Sequence, residues 1–405
     1  MLILYNAGIR LYFFGIYLAS FFNKKARLWL YGRKNQRVSK NGPSIWFHFA
    51  SLGEFEQGRP VLEQMRALHP SKKIIVTFFS PSGFEIRKNT PLADFVYYLP
   101  LDTPKNAREF IDATQPDMAI FTKYEYWYHY FNELHSRHIS LYIISGIFRP
   151  DQIFFKWYGG LHRKMLRFVT RFFVQDERSE KLLQQIGINN ITISGDTRFD
   201  RVWANAQHPK SLPLISAFKN GHKVFIAGST WPPDEELLPP LMAAYPDWKF
   251  IIAPHEIGEE KIASIMKIAP TGSAIRFSQI DDHNLALSKC RALVIDNIGM
   301  LSSLYQYGDI AYIGGGFGVG IHNTLEAAAF GLPVIFGPNY EKFKEAKDII
   351  ALKAGFTVNS QVELNQVVEQ LITDSDFYTA AAASIRHYVE EQQGATATII
   401  SHINQ

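Results

Sequence analysis

A single cysteine in 405 residues, Cys290, excludes a disulfide framework and a cysteine metal cluster, and it fits a reducing, cytosolic setting. Net charge is equally sparse. The formal value is +4 with 20% charged residues, too little by itself to point to nucleic acid. His255 and His322 lack carboxylate partners at ligand spacing, so no metal site is expected. No G-x-S-x-G elbow occurs. No Gly-Lys-Ser/Thr closes a glycine run into a P-loop, and the glycines fit G-x-G-x-x-G in no register, so the dinucleotide fingerprint is missing too. There is no short-period repeat and no low-complexity tract. What remains is a globular chain, 47% hydrophobic and too long for one ordinary core, so two domains are expected.

The chain opens with Leu2 to Phe22, nearly continuous apolar sequence of about membrane-spanning length. Lys24, Lys25, Arg27, Arg33, Lys34 and Arg37 follow it. By the positive-inside rule this flank stays in the cytoplasm with the body of the protein attached. Arg10 interrupts the run at a cost of roughly 2.5–3.5 kcal/mol in mid-membrane. Residues 1–40 are therefore read as a membrane anchor with a basic flank. A spanning helix, an amphipathic helix in the interface and a buried first helix are the alternatives. No basic n-region and no A-x-A site support a cleaved signal peptide.

Short apolar runs then alternate with helix-like stretches. Ile45 to Ala50, Lys73 to Phe79, Phe95 to Leu99, Met118 to Thr122, Ser140 to Ser145, Arg171 to Val174 and Ile191 to Ile193 read as strands. Most are solidly apolar, as parallel strands covered on both faces should be. A looser stretch at 205–215, with Pro209, Ser211 and Pro213, reads as a linker. The pattern restarts with Lys223 to Ala227, Lys249 to Ile252, Ala292 to Asp296, Ile310 to Ile313 and Val334 to Phe336, and a long helical tail runs from about Asp374. The expected fold is α/β: two Rossmann-like doubly wound domains, 41–204 and 216–405, facing a cleft, with ligands at the carboxyl ends of the strands.

The glycine-rich segment Asp309 to Pro338 is the strongest local signal. A strand leads into Gly314, Gly315, Gly316, Gly318 and Gly320, and His322-Asn323-Thr324-Leu325-Glu326 opens a helix. Free backbone N–H groups there would suit a phosphate or sugar hydroxyl, and Glu326 a ribose diol. The plain alternative is a turn packing a helix onto a sheet. Ile226 to Pro233 repeats the device: Gly228, Ser229 and Thr230 precede a proline-started helix and offer either a phosphate site or an N-cap. Pro254 and His255 end another strand. Asp296 to Leu301, with Gly299 and Met300, makes a further turn whose acid is either a ligand contact or a cap.

In the first half, Ser51-Leu52-Gly53-Glu54 follows the first strand. Gly53 permits close approach, and Glu54 is either a general base or an acid complementing a helix dipole. Ser80 and Ser82 offer a polar turn for an acceptor phosphate or a cap. Lys123 and Glu125, flanked by aromatics after the Met118 strand, suit sugar binding or line a surface turn.

Taken in order, Ser51 to Glu54, Ser194-Gly195-Asp196-Thr197-Arg198-Phe199-Asp200, Ala227 to Thr230, Asp296 with Gly299, and Gly314-Gly315 through Glu326 resemble the motifs of the Kdo (3-deoxy-D-manno-octulosonic acid) transferases of lipopolysaccharide synthesis, which are GT-B glycosyltransferases. The resemblance implies Glu54 as general base and CMP-Kdo as donor, held by the second domain through Gly228, Ser229, Thr230, Pro254, His255, Asp296, Gly299, Met300, Gly315, Gly316, His322, Asn323 and Glu326. It implies a lipid A precursor as acceptor, met by Ser51, Gly53, Ser80, Ser82, Lys123 and Glu125. It further implies inversion at the anomeric carbon, no cofactor, no required metal, no nucleic acid, and the cytoplasmic side of the inner membrane. Two departures stand out. Where the family commonly has Pro-Arg-His-Pro-Glu-Arg, this chain reads Ala253-Pro254-His255-Glu256-Ile257-Gly258. Where it usually has Glu-x-Trp-Pro, the chain reads Glu125-Tyr126-Trp127-Tyr128. The alternatives are another GT-B enzyme using a UDP-sugar, whether transferase or epimerase, and a non-catalytic binding protein on the same fold.

Overall fold

The computed structural model describes residues 1–40, 42–280 and 287–404. The chain forms two compact units: Met1–Arg201 with Gln393–Gln405, and Val202–Gln392.

The first unit is built on seven strands: β1 (Ser44–Phe49), β2 (Lys73–Phe78), β3 (Phe95–Tyr98), β4 (Pro116–Thr122), β5 (Ser140–Gly146), β6 (Arg171–Val174) and β7 (Ile191–Ile193). All pair in parallel, in the order β3-β2-β1-β4-β5-β6-β7. Alternate residues enter different cores. Trp46 joins the cluster with Phe110, Phe121 and Tyr130, whereas Ile45, Phe47 and Phe49 join the one with Val61, Met65 and Phe78. That explains why the strands are apolar throughout: neither face meets water.

Helix α1 (Leu2–Ala19) is the one described helix long and apolar enough to cross a membrane. None of its residues is buried, which removes the buried-first-helix alternative. Half-buried Tyr5, Asn6, Ile9 and Ile16 mark one face, while Arg10 is exposed. Tyr5 donates its hydroxyl to Asp102 at 2.5 Å, Asn6 Oδ1 bonds His129 Nε2 at 2.7 Å, and the Tyr12 ring meets Trp29 and Phe79. After α2 (Lys24–Asn35) come α3 (Leu52–Leu68) and α4 (Pro81–Arg87).

The second unit repeats the plan with β8 (Val224–Thr230), β9 (Lys249–Pro254), β10 (Ala274–Arg276), β11 (Ala292–Val294), β12 (Ile310–Ile313), β13 (Val334–Phe336) and β14 (Gly355–Thr357), in the order β10-β11-β9-β8-β12-β13-β14, all parallel. Strands β10 and β14 were not expected. Each has three residues, most of them half-exposed at a sheet edge, too short to leave an apolar run.

Three boundaries differ from expectation. The 205–215 stretch is not a free linker: it takes in the end of helix Thr197–Gln207 and the start of helix Pro213–Lys219, and the units divide after Arg201. The helical tail breaks at Gly394 (φ 102°), where only glycine is at ease. Its last helix, Ala395–Ile403, then belongs with the first unit, not the second. Ile399 and Ile403 enter the Val61–Met65 core, and the Asp200 carboxylate accepts N–H bonds from Gly394 and Thr396 at 2.7 and 2.6 Å.

Candidate active site

In both sheets the strand order reverses beside the central strand, between β1 and β4 and between β8 and β12. Such a switch point opens a crevice at the carboxyl ends of the strands. Glu54, Lys123, Glu125, Gly228 to Thr230 and the glycine loop end or follow the strands that flank these points, whereas Ser80 and Ser82 follow β2, Pro254 and His255 end or follow β9, and Asp296 with Gly299 follows β11.

In the first unit, Ser51 occupies the N-cap of α3, but its hydroxyl makes no cap bond. Glu54 reaches back instead and accepts the Ala50 N–H at 2.6 Å. A Cβ at Gly53 would meet only the Ser51 hydroxyl, at 4.0 Å. Burial pushes the Glu54 carboxyl up to about 7, and the Glu125 charge adds to this, against the Ala50 bond and Lys123. Glu125 follows β4. Its Oε2 accepts Trp127 Nε1 at 2.9 Å and meets His48 Nε2 at 3.2 Å. Lys123 holds a left-handed backbone (φ 58°) with its N–H on Ile144 O, and its ammonium acts on both Glu54 and Asp196. Glu54, Glu125 and Lys123 thus form one electrostatic group. Ser80 caps α4 by accepting the Ser82 N–H at 3.3 Å, and the two hydroxyls lie 3.0 Å apart.

Arg33 departs from its expected place in the membrane flank. Its guanidinium sits 3.8 Å over the Trp29 ring and donates to Leu99 O and Phe79 O at 2.9 and 2.7 Å. Burial pulls it down to about 9. This arginine ties α2 to the strand ends beside the crevice.

In the second unit, Gly228 leaves room for Tyr305, whose hydroxyl would lie 2.3 Å from an added Cβ. Ser229 is held at φ 54°, and buried Thr230 donates to Glu235 at 3.0 Å. Part of the glycine loop after β12 is bonded within the fold. Gly314 N–H bonds Gly228 O, Gly318 and Gly320 bond Gly315 O, His322 bonds Gly314 O, and Gly315 N–H goes to the Asp234 carboxylate at 2.9 Å. The glycines serve close packing: a Cβ on Gly314 would sit 2.3 Å from Ser229 O, and one on Gly316 2.5 Å from Gly337 N. The helix behind the loop, Leu325–Ala328, is a single turn. Asn323 caps it by accepting the Leu325 N–H at 3.1 Å and donates to Glu326 at 3.2 Å.

Side chains offer ligand groups here as well. Trp231 Nε1 donates to His322 Nε2 at 3.1 Å, and the His255 ring stacks on both. With Nε2 accepting, neutral His322 carries its proton on Nδ1. Burial and neighbouring His255 lower its proton affinity. Pro254 closes β9, and His255 N–H bonds Thr230 O. Asp296 is occupied with Ser278, whose N–H and hydroxyl it accepts. Gly299 (φ 93°) and Met300 turn the chain into Leu301, which packs beside Gly228.

Sequence reading missed His48, Trp127, Trp231 and Asp234. His48 was the most visible, a lone imidazole in an apolar strand. Asp234 accepts from Trp231 N–H, Gly315 N–H and the Tyr312 hydroxyl, and so joins the ends of β8 and β12, a role no local spacing announces.

Residues 23–201 match the sequence profile of the family described as 3-Deoxy-D-manno-octulosonic-acid transferase (kdotransferase). The chain is 28% identical over 339 residues to the 3-deoxy-D-manno-octulosonic acid transferase of Rickettsia bellii, covering 81% of this chain and 79% of that one. The Haemophilus influenzae protein of the same name is 28% identical over 347 residues, covering 82% and 80%. In three dimensions the chain is similar to the UDP-GlcNAc 2-epimerase of Neisseria meningitidis, with a TM-score of 0.62 at 14% identity over 89% of this chain and 99% of the other. That likeness concerns the fold, which is GT-B. With the profile matching residues 23–201 and these relatives aligned through both units, the chain carries a domain of the 3-deoxy-D-manno-octulosonic acid transferase family and is a glycosyltransferase.

Proposed function

We propose that the protein is an inverting transferase that moves Kdo from CMP-Kdo to a lipid A precursor at the cytoplasmic face of the inner membrane. The observation that carries this is Glu54: a carboxyl pushed up to about 7, at the switch point of the first unit, near Gly53, where a Cβ would meet only the Ser51 hydroxyl at 4.0 Å. A base with that affinity is half ionised near neutral pH and suits removal of a proton from a sugar hydroxyl. Glu54 takes the proton as the acceptor oxygen attacks the anomeric carbon, and CMP leaves as a phosphate monoester, so configuration inverts. That leaving group needs no metal in principle. Ser51, Gly53, Ser80, Ser82, Lys123 and Glu125 face the acceptor in this reading, and the Lys123 ammonium suits a phosphorylated one. His322, through Nδ1–H, and His255 meet the donor phosphate, with Gly228, Ser229 and Thr230 at the strand end beside them. Asn323 and Glu326 meet the ribose, and Pro254, Asp296, Gly299, Met300, Gly315 and Gly316 shape the pocket.

The lipid acceptor accounts for α1. Its outer side exposes Ile3, Leu4, Leu11, Phe14 and Leu18, while Tyr5, Asn6 and Tyr12 are bonded or packed to the body. A helix held to the body by polar bonds in its first half and ring contacts at Tyr12, with an apolar outer side, suits the membrane interface. It brings the enzyme to the surface where the acceptor sits.

The test is transfer itself. Detergent-purified protein is incubated with CMP-Kdo and a tetra-acylated lipid A precursor, and the lipid is weighed by mass spectrometry. One or more added Kdo masses, reduced ~10²–10⁴-fold in Glu54→Gln, is the expected result. No gain with CMP-Kdo, but turnover of a UDP-sugar, would move the chain to another reaction on the same fold.

A further inference from the structure

Behind the group around Glu54 runs a buried line of hydrogen bonds whose direction is settled by its end members. Trp46 Nε1, a donor only, gives its proton to the Thr77 hydroxyl at 2.8 Å. The Thr77 hydroxyl lies 2.8 Å from His48 Nδ1 and 3.3 Å from Phe47 O. The Glu125 carboxylate only accepts, so neutral His48 carries its proton on Nε2 and Nδ1 accepts from Thr77. That proton points to Glu125 Oε2 at 3.2 Å, which also receives Trp127 Nε1. His48, Trp46 and Thr77 are fully buried. Burial lowers the proton affinity of His48 in spite of Glu125, which keeps the ring neutral.

We infer that His48 is a positioning residue: with Trp127 it clamps one oxygen of Glu125, and so holds that carboxylate in the place from which its charge acts on Glu54. The inference rests on the role proposed for Glu54. A satisfied core histidine would need no carboxylate partner at a crevice, and a carboxylate that only binds acceptor would not need two donors on one oxygen. Other groups facing this pair are Arg33 of α2, Tyr5 and Tyr12 of α1, and Lys123, Tyr124 and Tyr126 beside Glu125. His48→Asn leaves these in place, keeps a partner for Thr77 and loses the proton that reaches Glu125. His48→Gln carries an N–H near the lost Nε2.

The experiment is a pH titration of Glu54 in full-length protein with ¹³C-labelled glutamate side-chain carboxyls, the signal assigned by its loss in Glu54→Gln. Alongside it runs the pH profile of transfer. In His48→Asn the Glu54 midpoint and the acid limb of the profile move together to lower pH, because the Glu125 charge no longer opposes ionisation. His48→Gln returns both toward wild type. Trp127→Phe, a milder change near the surface, moves both in the same direction by less and serves should His48→Asn fail to fold. Midpoints unchanged in folded His48→Asn and Trp127→Phe would overturn the inference. A moved Glu54 midpoint in protein that transfers no sugar would keep the inference and reject the transferase reading.

Discussion

Glu54 is costly to ionise, and that cost can be read in stability as well as in turnover. Its carboxyl goes from an ordinary 4.5 to about 7 on folding. Between these values the folded chain holds a proton that the unfolded chain has lost. Its contribution to stability is therefore full below 4.5 and is lost as pH rises to about 7. Glu54→Gln removes the buried charge and keeps an oxygen for the Ala50 N–H. Thermal melts at pH ~8 should show this variant more stable than wild type by roughly 1–3 kcal/mol, the gap closing toward pH ~5. An equal gap at both values would mean that the carboxyl is not shifted. The position of Glu54 was legible in sequence, because Ser51 to Gly53 turns the chain at a strand end. Its environment was not: Lys123 and Glu125 follow β4, some seventy residues on, and only the parallel pairing of β1 with β4 brings them near.

Elements show the same division. Solid apolar runs announced the long strands, and glycines announced the turn after β12. Which of their N–H groups bond within the fold was not legible, since tight loops and phosphate loops use the same residue for different reasons. Here the N–H groups of Gly318, Gly320 and His322 bond carbonyls of the loop, that of Gly314 bonds Gly228 O, and that of Gly315 bonds Asp234, 81 positions earlier. The terminal helix was assigned to the wrong unit because an amphipathic helix shows which face it buries but not against what. Its place can be tested. Ile399→Ala removes a fully buried side chain from the core beneath α3 and should cost ~2–5 kcal/mol in urea unfolding, followed by a probe in the first unit. A change below about 0.5 kcal/mol would mean that this helix does not hold the first unit together.

For the whole molecule the open choice was whether the apolar N-terminal helix spans a membrane or lies along the body. Length and hydropathy alone allow a span, and Arg10 argues against it without excluding it. The bonds of Tyr5 to Asp102 and Asn6 to His129 favour a helix lying along the body. A protease site placed before Met1 should therefore be cut, in everted inner-membrane vesicles, from the same side as the catalytic body. Cleavage only after the vesicles are opened would make α1 a span.

Local chemistry was enough to determine the class of fold, the order of the motifs and the family they resemble, because strand, turn and helix signals act over a few residues. The sequence by itself also placed Glu54 and His255 just after strand ends and His322 at the opening of a helix. Tertiary structure alone decided which of these groups are free, which carboxylate loads Glu54, and where the final helix docks. Those outcomes depend on burial and on charges brought together across the sheet, and neither is a property of neighbours in sequence.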